Sequence, residues 1–367
     1  MTDVTVLVGD CLASLLALPD QSVHTCVTSP PYFGLRSYDE ASLRIDPSLP
    51  EEKRAWLDAE LLQRCVHERM GAVYHRDDIP EDLRSYFVRA EIGLEDTPDA
   101  FVARLVEVFR EVRRVLRDDA TLWLNLGDSW AGAKSKAVQV SLSDYGCNGA
   151  ASYAEAAARR SSSMAVRPKV PGMDAKQLLG IPWRVAFALQ ADGWILRDEI
   201  VWHKPGVMPY SGKDRFCRNH EQMFLLAKSP RYFFNHAAIR EPAIYPAGTK
   251  AAKGSTERQS QKGVNSRTPE YKVYDGMRTK RSVWTVTTKP FKGAHFATFP
   301  PDLIEPCILA GCPPGGTVLD PFGGSGTTAG VALKHGRNAI LCELNPDYAA
   351  LVKARVDSIA GRQETLL

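Results

Sequence analysis

Ser29-Pro30-Pro31-Tyr32 follows the β-branched run 23–28. Two successive prolines fix two φ angles and remove two N–H donors, which leaves carbonyl oxygens pointing outward in a rigid array. With the Ser29 hydroxyl beside the Pro30 carbonyl, and Pro31 stiffening the turn, that array suits an amine. Acceptors on the hydrogens of a conjugated, weakly nucleophilic amino group draw its nitrogen toward tetrahedral geometry and aim the lone pair at an electrophile. Tyr32 adds a flat face for stacking. Taken alone, the tetrapeptide also reads as a plain Pro-Pro turn beside a half-buried tyrosine, and the choice depends on what else the chain carries.

A second constellation lies near the other end. Residues 318–328, VLDPFGGSGTT, set three glycines between an apolar run and a helical pattern. Such a loop lets backbone N–H groups and a positive helix terminus approach a ligand closely. Gly324, Gly326 and Ala329 also satisfy the G-x-G-x-x-G/A dinucleotide pattern. Against a dehydrogenase, only 24 residues follow Glu343, too few for the rest of a nucleotide-binding domain, and Asp320 directly precedes the loop. A phosphate-binding NTPase loop is excluded, because no Gly-Lys-Ser/Thr follows the glycines.

The stretch Asp320-Pro321-Phe322-Gly323-Gly324-Ser325-Gly326-Thr327-Thr328 resembles the S-adenosylmethionine loop of amino-directed DNA methyltransferases. The resemblance implies that Asp320 and the loop from Pro321 to Thr327 hold the methionine part of the cofactor. Residues 340–348, ILCELNPDY, match the family's next motif, which implies that Glu343 accepts bonds from the ribose hydroxyls. Asp10 and Cys11, after Gly9, look like the adenine contact, and Thr298 and Phe299 within AHFATFP (294–300) look like the cofactor motif that precedes the glycine loop. Thr28-Ser29-Pro30-Pro31-Tyr32 resembles the catalytic motif. Its position before the cofactor loop, with a basic segment between, is the β-class order. Residues 40–96 and 131–176 have no counterpart in this resemblance.

On this reading the amine is the exocyclic amino group of cytosine or adenine, and Tyr32 stacks on a base extruded from the duplex. Serine at position 29 resembles N4-cytosine enzymes, whereas N6-adenine members more often begin the tetrapeptide with Asp. C5-cytosine chemistry needs an activated cysteine, and Pro306-Cys307 offers a Pro-Cys pair, but its apolar surroundings read as a core helix. Two further alternatives stay open: a methyltransferase acting on RNA or a protein amide, and a catalytically silent DNA-binding relative. Protein-amide enzymes usually begin the tetrapeptide with Asn, and a silent relative should have lost Ser29, Tyr32 or Asp320.

The elements that must position these residues alternate. Strands are predicted at 4–8, 23–28, 121–126, 195–202, 222–228, 317–319 and 338–342, and helices at 11–18, 181–189, 302–310, 327–335 and from Pro346. Thr97-Pro98 reads as an N-cap with proline at the first helical position, ahead of Phe101, Leu105, Val108, Val112 and Val115 at helical spacing. The expected fold is α/β, a circularly permuted Rossmann-like methyltransferase sheet with helices on both faces and an inserted DNA-recognition region. Residues 1–39, 97–130, 177–230 and 293–367 form the expected catalytic domain. Residues 40–96 form an acidic, mostly helical insertion, 131–176 a mobile one and 231–292 a separate basic recognition module.

Charge supports that division. Residues 40–96 carry 14 Asp/Glu against 8 Lys/Arg, whereas residues 231–292 carry 13 Lys/Arg against 4 Asp/Glu. Phosphate is repelled by the first and attracted by the second, with Arg278, Lys280 and Arg281 as the densest cluster. Double-stranded DNA is therefore the expected partner, and a homodimer and a cognate restriction enzyme are compatible with it. None of the eight cysteines forms a CxxC pair, so no metal site is expected. Neither a long apolar run nor a signal-peptide pattern occurs, and the expected location is cytoplasmic.

Overall fold

The computed structural model describes residues 2–34, 42–46, 49–64, 66, 73–132, 170–207, 210, 213–252, 271–288 and 299–361. In chain order the elements are β1 (Val4–Val8), α1 (Cys11–Leu16), β2 (Val23–Thr28), β3 (Ser42–Ile45), α2 (Glu51–Gln63), β4 (Tyr74–His75), β5 (Phe87–Arg89), α3 (Pro98–Val115) and β6 (Leu116–Leu126). There follow α4 (Ile181–Ala191), β7 (Ile195–His203), β8 (His220–Ala227), β9 (Glu241–Pro242), β10 (Lys250–Ala252), β11 (Tyr271–Val273), β12 (Met277–Arg278) and β13 (Val283–Thr285). The chain closes with α5 (Pro301–Gly311), β14 (Thr317–Asp320), α6 (Thr327–Lys334), β15 (Asn338–Glu343) and α7 (Pro346–Ala360).

Eight strands pair in the order β1-β15-β14-β2-β6-β8-β7-β13. Every pairing is parallel except the two made by β8, which runs against β6 and β7. Both faces are covered, as the apolar runs demand. On one face α1, α3 and α4 bury Leu15, Phe101, Leu105, Val108, Val112 and Leu189. On the other, α5, α6 and α7 bury Leu303, Ile304, Ile308, Val331, Val352 and Val356. α3 starts where the sequence places it: the Thr97 hydroxyl accepts from Ala100 N (3.1 Å) and Pro98 sits in the first turn.

The insertions differ from expectation. The described residues of 40–96 are not mostly helical: α2 and two 3-10 turns pack with an antiparallel sheet of order β4-β3-β5 around Leu57, Leu61, Tyr74, Ile79, Leu83 and Phe87. Strands of two to four residues are too short to display an alternation. Nor is the segment 231–292 wholly separate. Phe234 stacks on Trp123 with ring centroids 6.3 Å apart, and β13 is the edge strand of the main sheet, parallel to β7. Two short hairpin pairings, β9 with β12 and β10 with β11, lie between those anchors. Residues 133–169, the body of the expected mobile insertion, fall outside the described residues. Its two ends meet, since Ala131 N donates to Gln177 O (2.8 Å) and Lys176 N to Ala131 O (2.9 Å).

Candidate active site

Parallel strands present all their carboxyl ends to one rim, and ligands bind open α/β sheets there. Gly9-Asp10 follows β1, Ser29 follows β2, Gly127-Asp128 follows β6, and Asp320 and Glu343 end β14 and β15. Because β8 is reversed, its first residues, His220 and Glu221, reach the same rim, where Lys204 follows β7. A single cavity of about 560 Å³ joins these ends and is lined both by the glycine loop and by Ser29-Pro30-Pro31-Tyr32.

In the cofactor half, Asp320 is buried, and its carboxylate accepts from the hydroxyls of Thr28 (2.6 Å) and Thr328 (2.6 Å) and from Phe322 N (3.1 Å). Asp320 thereby ties the catalytic strand, the loop and α6 together. Glu343 shapes the loop as well, with Oε2 accepting from Gly324 N (2.8 Å) and Oε1 from Asn345 N (2.9 Å). Asp10 caps α1 through Ala13 N (3.0 Å), with Arg44 and Arg104 each 3.9 Å away. Burial pushes all three carboxyls above the ordinary carboxylate range.

These residues fit S-adenosylmethionine. Gly324 adopts φ +51° and faces open space, and the buried hydroxyls of Ser325 and Thr327, both on the cavity wall, have no hydrogen-bond partner. Such orphan groups suit the polar end of an amino acid, and three buried carboxylates suit a ligand carrying ammonium and sulfonium charges. Pro321, Phe322, Gly323, Cys11 and Phe299 line the same cavity, while Gly326 lies behind it with φ +90° at the start of α6. Thr298 falls outside the described residues.

In the catalytic half, the Tyr32 hydroxyl donates to Glu221 Oε2 (2.8 Å) and lies 3.2 Å from Asn125 Oδ1, which also accepts from the Ser29 hydroxyl (3.3 Å). Asn125 is oriented in turn by donating Nδ2–H to the Gln222 carbonyl (3.1 Å). Lys204 pairs with Glu221 Oε1. Gly127 lies against the tyrosine ring so closely that an added Cβ would come within 2.4 Å of Cε2. Sequence reasoning missed Asn125, Lys204 and Glu221 as site residues; an isolated Glu opening a strand carries no local signal, and only the reversal of β8 brings it to the rim. Cys307 is a core residue in α5 against Met223 Sδ (3.3 Å), and burial pushes its thiol far above the usual range, so it is no nucleophile.

Arg278, Lys280 and Arg281 lie together, away from the cavity lining. Arg278 Nε (2.9 Å) and Arg281 Nε (2.8 Å) both donate to Glu241 Oε1, and the Lys280 ammonium sits 5.0 Å from the centre of the Trp284 ring. Among the described residues, no helix is long and apolar enough to cross a membrane, and no group of three or more His, Cys, Asp or Glu could hold a metal ion.

A family model for DNA methylases matches residues 23–354. The type II methyltransferase M.XycI of Xanthomonas campestris pv. cyanopsidis is 39% identical over 96% of this chain and 87% of its own length. M.Cfr9I of Citrobacter freundii, also a type II methyltransferase, is 38% identical over 97% of this chain and 88% of its own. Among solved structures, the cytosine-N4-specific PvuII DNA methyltransferase shares the fold at TM-score 0.54 and 16% identity, over 99% of this chain and 93% of that one. The site geometry and these relatives agree: the chain belongs to the N6/N4 family of DNA methylases, site-specific DNA methyltransferases that use S-adenosylmethionine.

Proposed function

We propose that this chain methylates the exocyclic N4 of cytosine in duplex DNA, after extruding the base into the cavity beside Tyr32. The observation that carries the reading is the state of Ser29. Its hydroxyl lies within donating reach of Asn125 Oδ1 (3.3 Å) and of the Tyr32 hydroxyl (3.5 Å), and one hydrogen serves either of them, so the oxygen keeps lone pairs to accept a hydrogen from an amine, beside the Pro30 carbonyl. Bound S-adenosylmethionine supplies an electrophilic methyl group. Tyr32, held at its hydroxyl by Glu221 and with its ring against Gly127, lines the cavity as the aromatic ring on which the base would stack. The amino nitrogen takes the methyl group in line as the sulfonium carbon–sulfur bond breaks to leave a neutral thioether, and the methylated nitrogen, now far more acidic, then loses one proton to water. No thiolate takes part: Cys307 is sealed in the core, and burial pushes the thiols of Cys11 and Cys342, which line the cavity, well above their ordinary range.

Recognition of the duplex falls to the basic segment 231–292, with Arg278, Lys280 and Arg281 on phosphates. A restriction endonuclease cutting the site that this chain protects would be its functional counterpart. Unmodified plasmid treated with the protein and S-adenosylmethionine, then digested and read by mass spectrometry, should yield N4-methylcytosine. N6-methyladenine would overturn the base assignment, and 5-methylcytosine the mechanism.

A further inference from the structure

Phe216 belongs neither to the core nor to the site described above, and its side chain is 95% exposed. It lies between β7 and β8, two residues before Arg218, which lines the cavity. The backbone there is anchored on both sides. Arg215 Nη1 donates to the Phe216 carbonyl (3.1 Å), and the Arg215 guanidinium is clamped 3.8 Å from the centre of the Trp130 ring and 3.7 Å from that of Tyr210. The Tyr210 hydroxyl donates to Asp214 Oδ1 (3.1 Å), and Asp214 Oδ2 pairs with Lys176 (2.8 Å). Two residues beyond Phe216, Arg218 reaches Asp128 Oδ2 (3.2 Å) and Gln222 Oε1 (3.3 Å). Trp130 and Arg218 line the same cavity as Ser29 and Tyr32.

Holding a phenyl ring in water is unfavourable, and here the contacts of Arg215 fix the backbone that carries it. The segment 204–219 carries Lys204, Lys213, Arg215 and Arg218 against Asp214 alone, so its surroundings favour a phosphate backbone. We propose that Phe216 is a wedge for duplex DNA: it enters the base stack beside the target and fills the space that the extruded base leaves. Apolar side chains inserted between base steps offset unstacking in this way. The inference rests on the base-flipping part of the proposed function.

The test compares full-length wild type, Phe216→Ala and Phe216→Leu on a duplex holding the site mapped from modified plasmid. One duplex has the target base paired, and the other has it opposite an abasic position, where extrusion costs least. Phe216→Ala should lose roughly tenfold or more in turnover on the paired duplex, the scale of one aromatic–base stack, and recover most of it on the abasic one. Phe216→Leu should fall between, and cofactor binding and melting temperature should not change. Equal loss on both duplexes, or loss on neither, would overturn the wedge. The comparison runs at whichever base the wild type modifies, so an N6-methyladenine product leaves it intact. A wild type equally fast on paired and abasic duplexes would instead remove base extrusion as a costly step.

Discussion

Tyr32 is fixed by Glu221 and Asn125 at its hydroxyl and by Gly127 at its ring. Gly127→Ala would place a methyl group inside the contact distance of that ring, which must then leave its position. Turnover should fall about tenfold or more while S-adenosylmethionine binding persists, since stacking of a base is worth ~1–3 kcal/mol; a kinetic assay beside calorimetry checks both. Ser29→Ala removes an acceptor that counts most as charge develops on the nitrogen, so kcat should drop much more than cofactor affinity does. Glu343 gives a pH signature. Burial raises its pKa from 4.5, and the ionised form is the better acceptor for hydroxyl donors. Cofactor affinity should therefore weaken as pH falls toward that raised pKa, at a higher pH than an ordinary carboxylate would give. Glu343→Gln should bind less well at neutral pH with a shallower profile, and an unchanged profile by titration calorimetry would assign the titration to Asp320 or Asp10.

Elements in this chain are locked to one another by a few partly buried ions. Glu305 of α5 accepts from Lys334, the last residue of α6 (2.7 Å), and lies 2.7 Å from His335 Nε2 just beyond it, where cations also face the helix C-terminus favourably. These partners hold the Glu305 carboxyl at about 2, below its ordinary 4.5. A depressed pKa means the contribution is present above the unfolded value and disappears as pH falls from 4.5 to about 2. Glu305→Ala should cost about 1 kcal/mol at neutral pH, discounted for partial exposure, and nothing at the acid end of that window. Urea melts at both pH values measure the difference, and an equal loss at both would deny the ion-pair origin. Helices of this scaffold are legible in the sequence because caps and period recur over several turns, as in α3. The strands β3, β4 and β5 are not, because each is too brief for the period of two to register.

Across the whole molecule, charge separation is the feature that DNA would meet first. The basic cluster is less positive than its sequence, because Arg278 and Arg281 share Glu241, whose carboxyl is held below its ordinary range by those two guanidinium groups, against the opposing effect of burial. Glu241→Gln should release both and tighten DNA binding at low salt. Replacing Arg278, Lys280 and Arg281 with Ala should weaken binding and reduce the slope of log K against log salt by about 0.9 for each phosphate that is no longer neutralised. Unchanged affinity in filter binding across a salt series would move recognition to another surface. The two chemical motifs, the alternation of strand and helix and the charge asymmetry can all be read from the chain before it folds, because each is written in neighbouring residues and survives without a partner. Folding was needed to bring Asp320 to Thr28, to set Glu221 and Lys204 beside Tyr32 and to place Gly127 where it leaves room for the tyrosine ring. Those contacts join residues up to 292 positions apart, and they depend on strand order and on the reversal of β8, which no local pattern encodes.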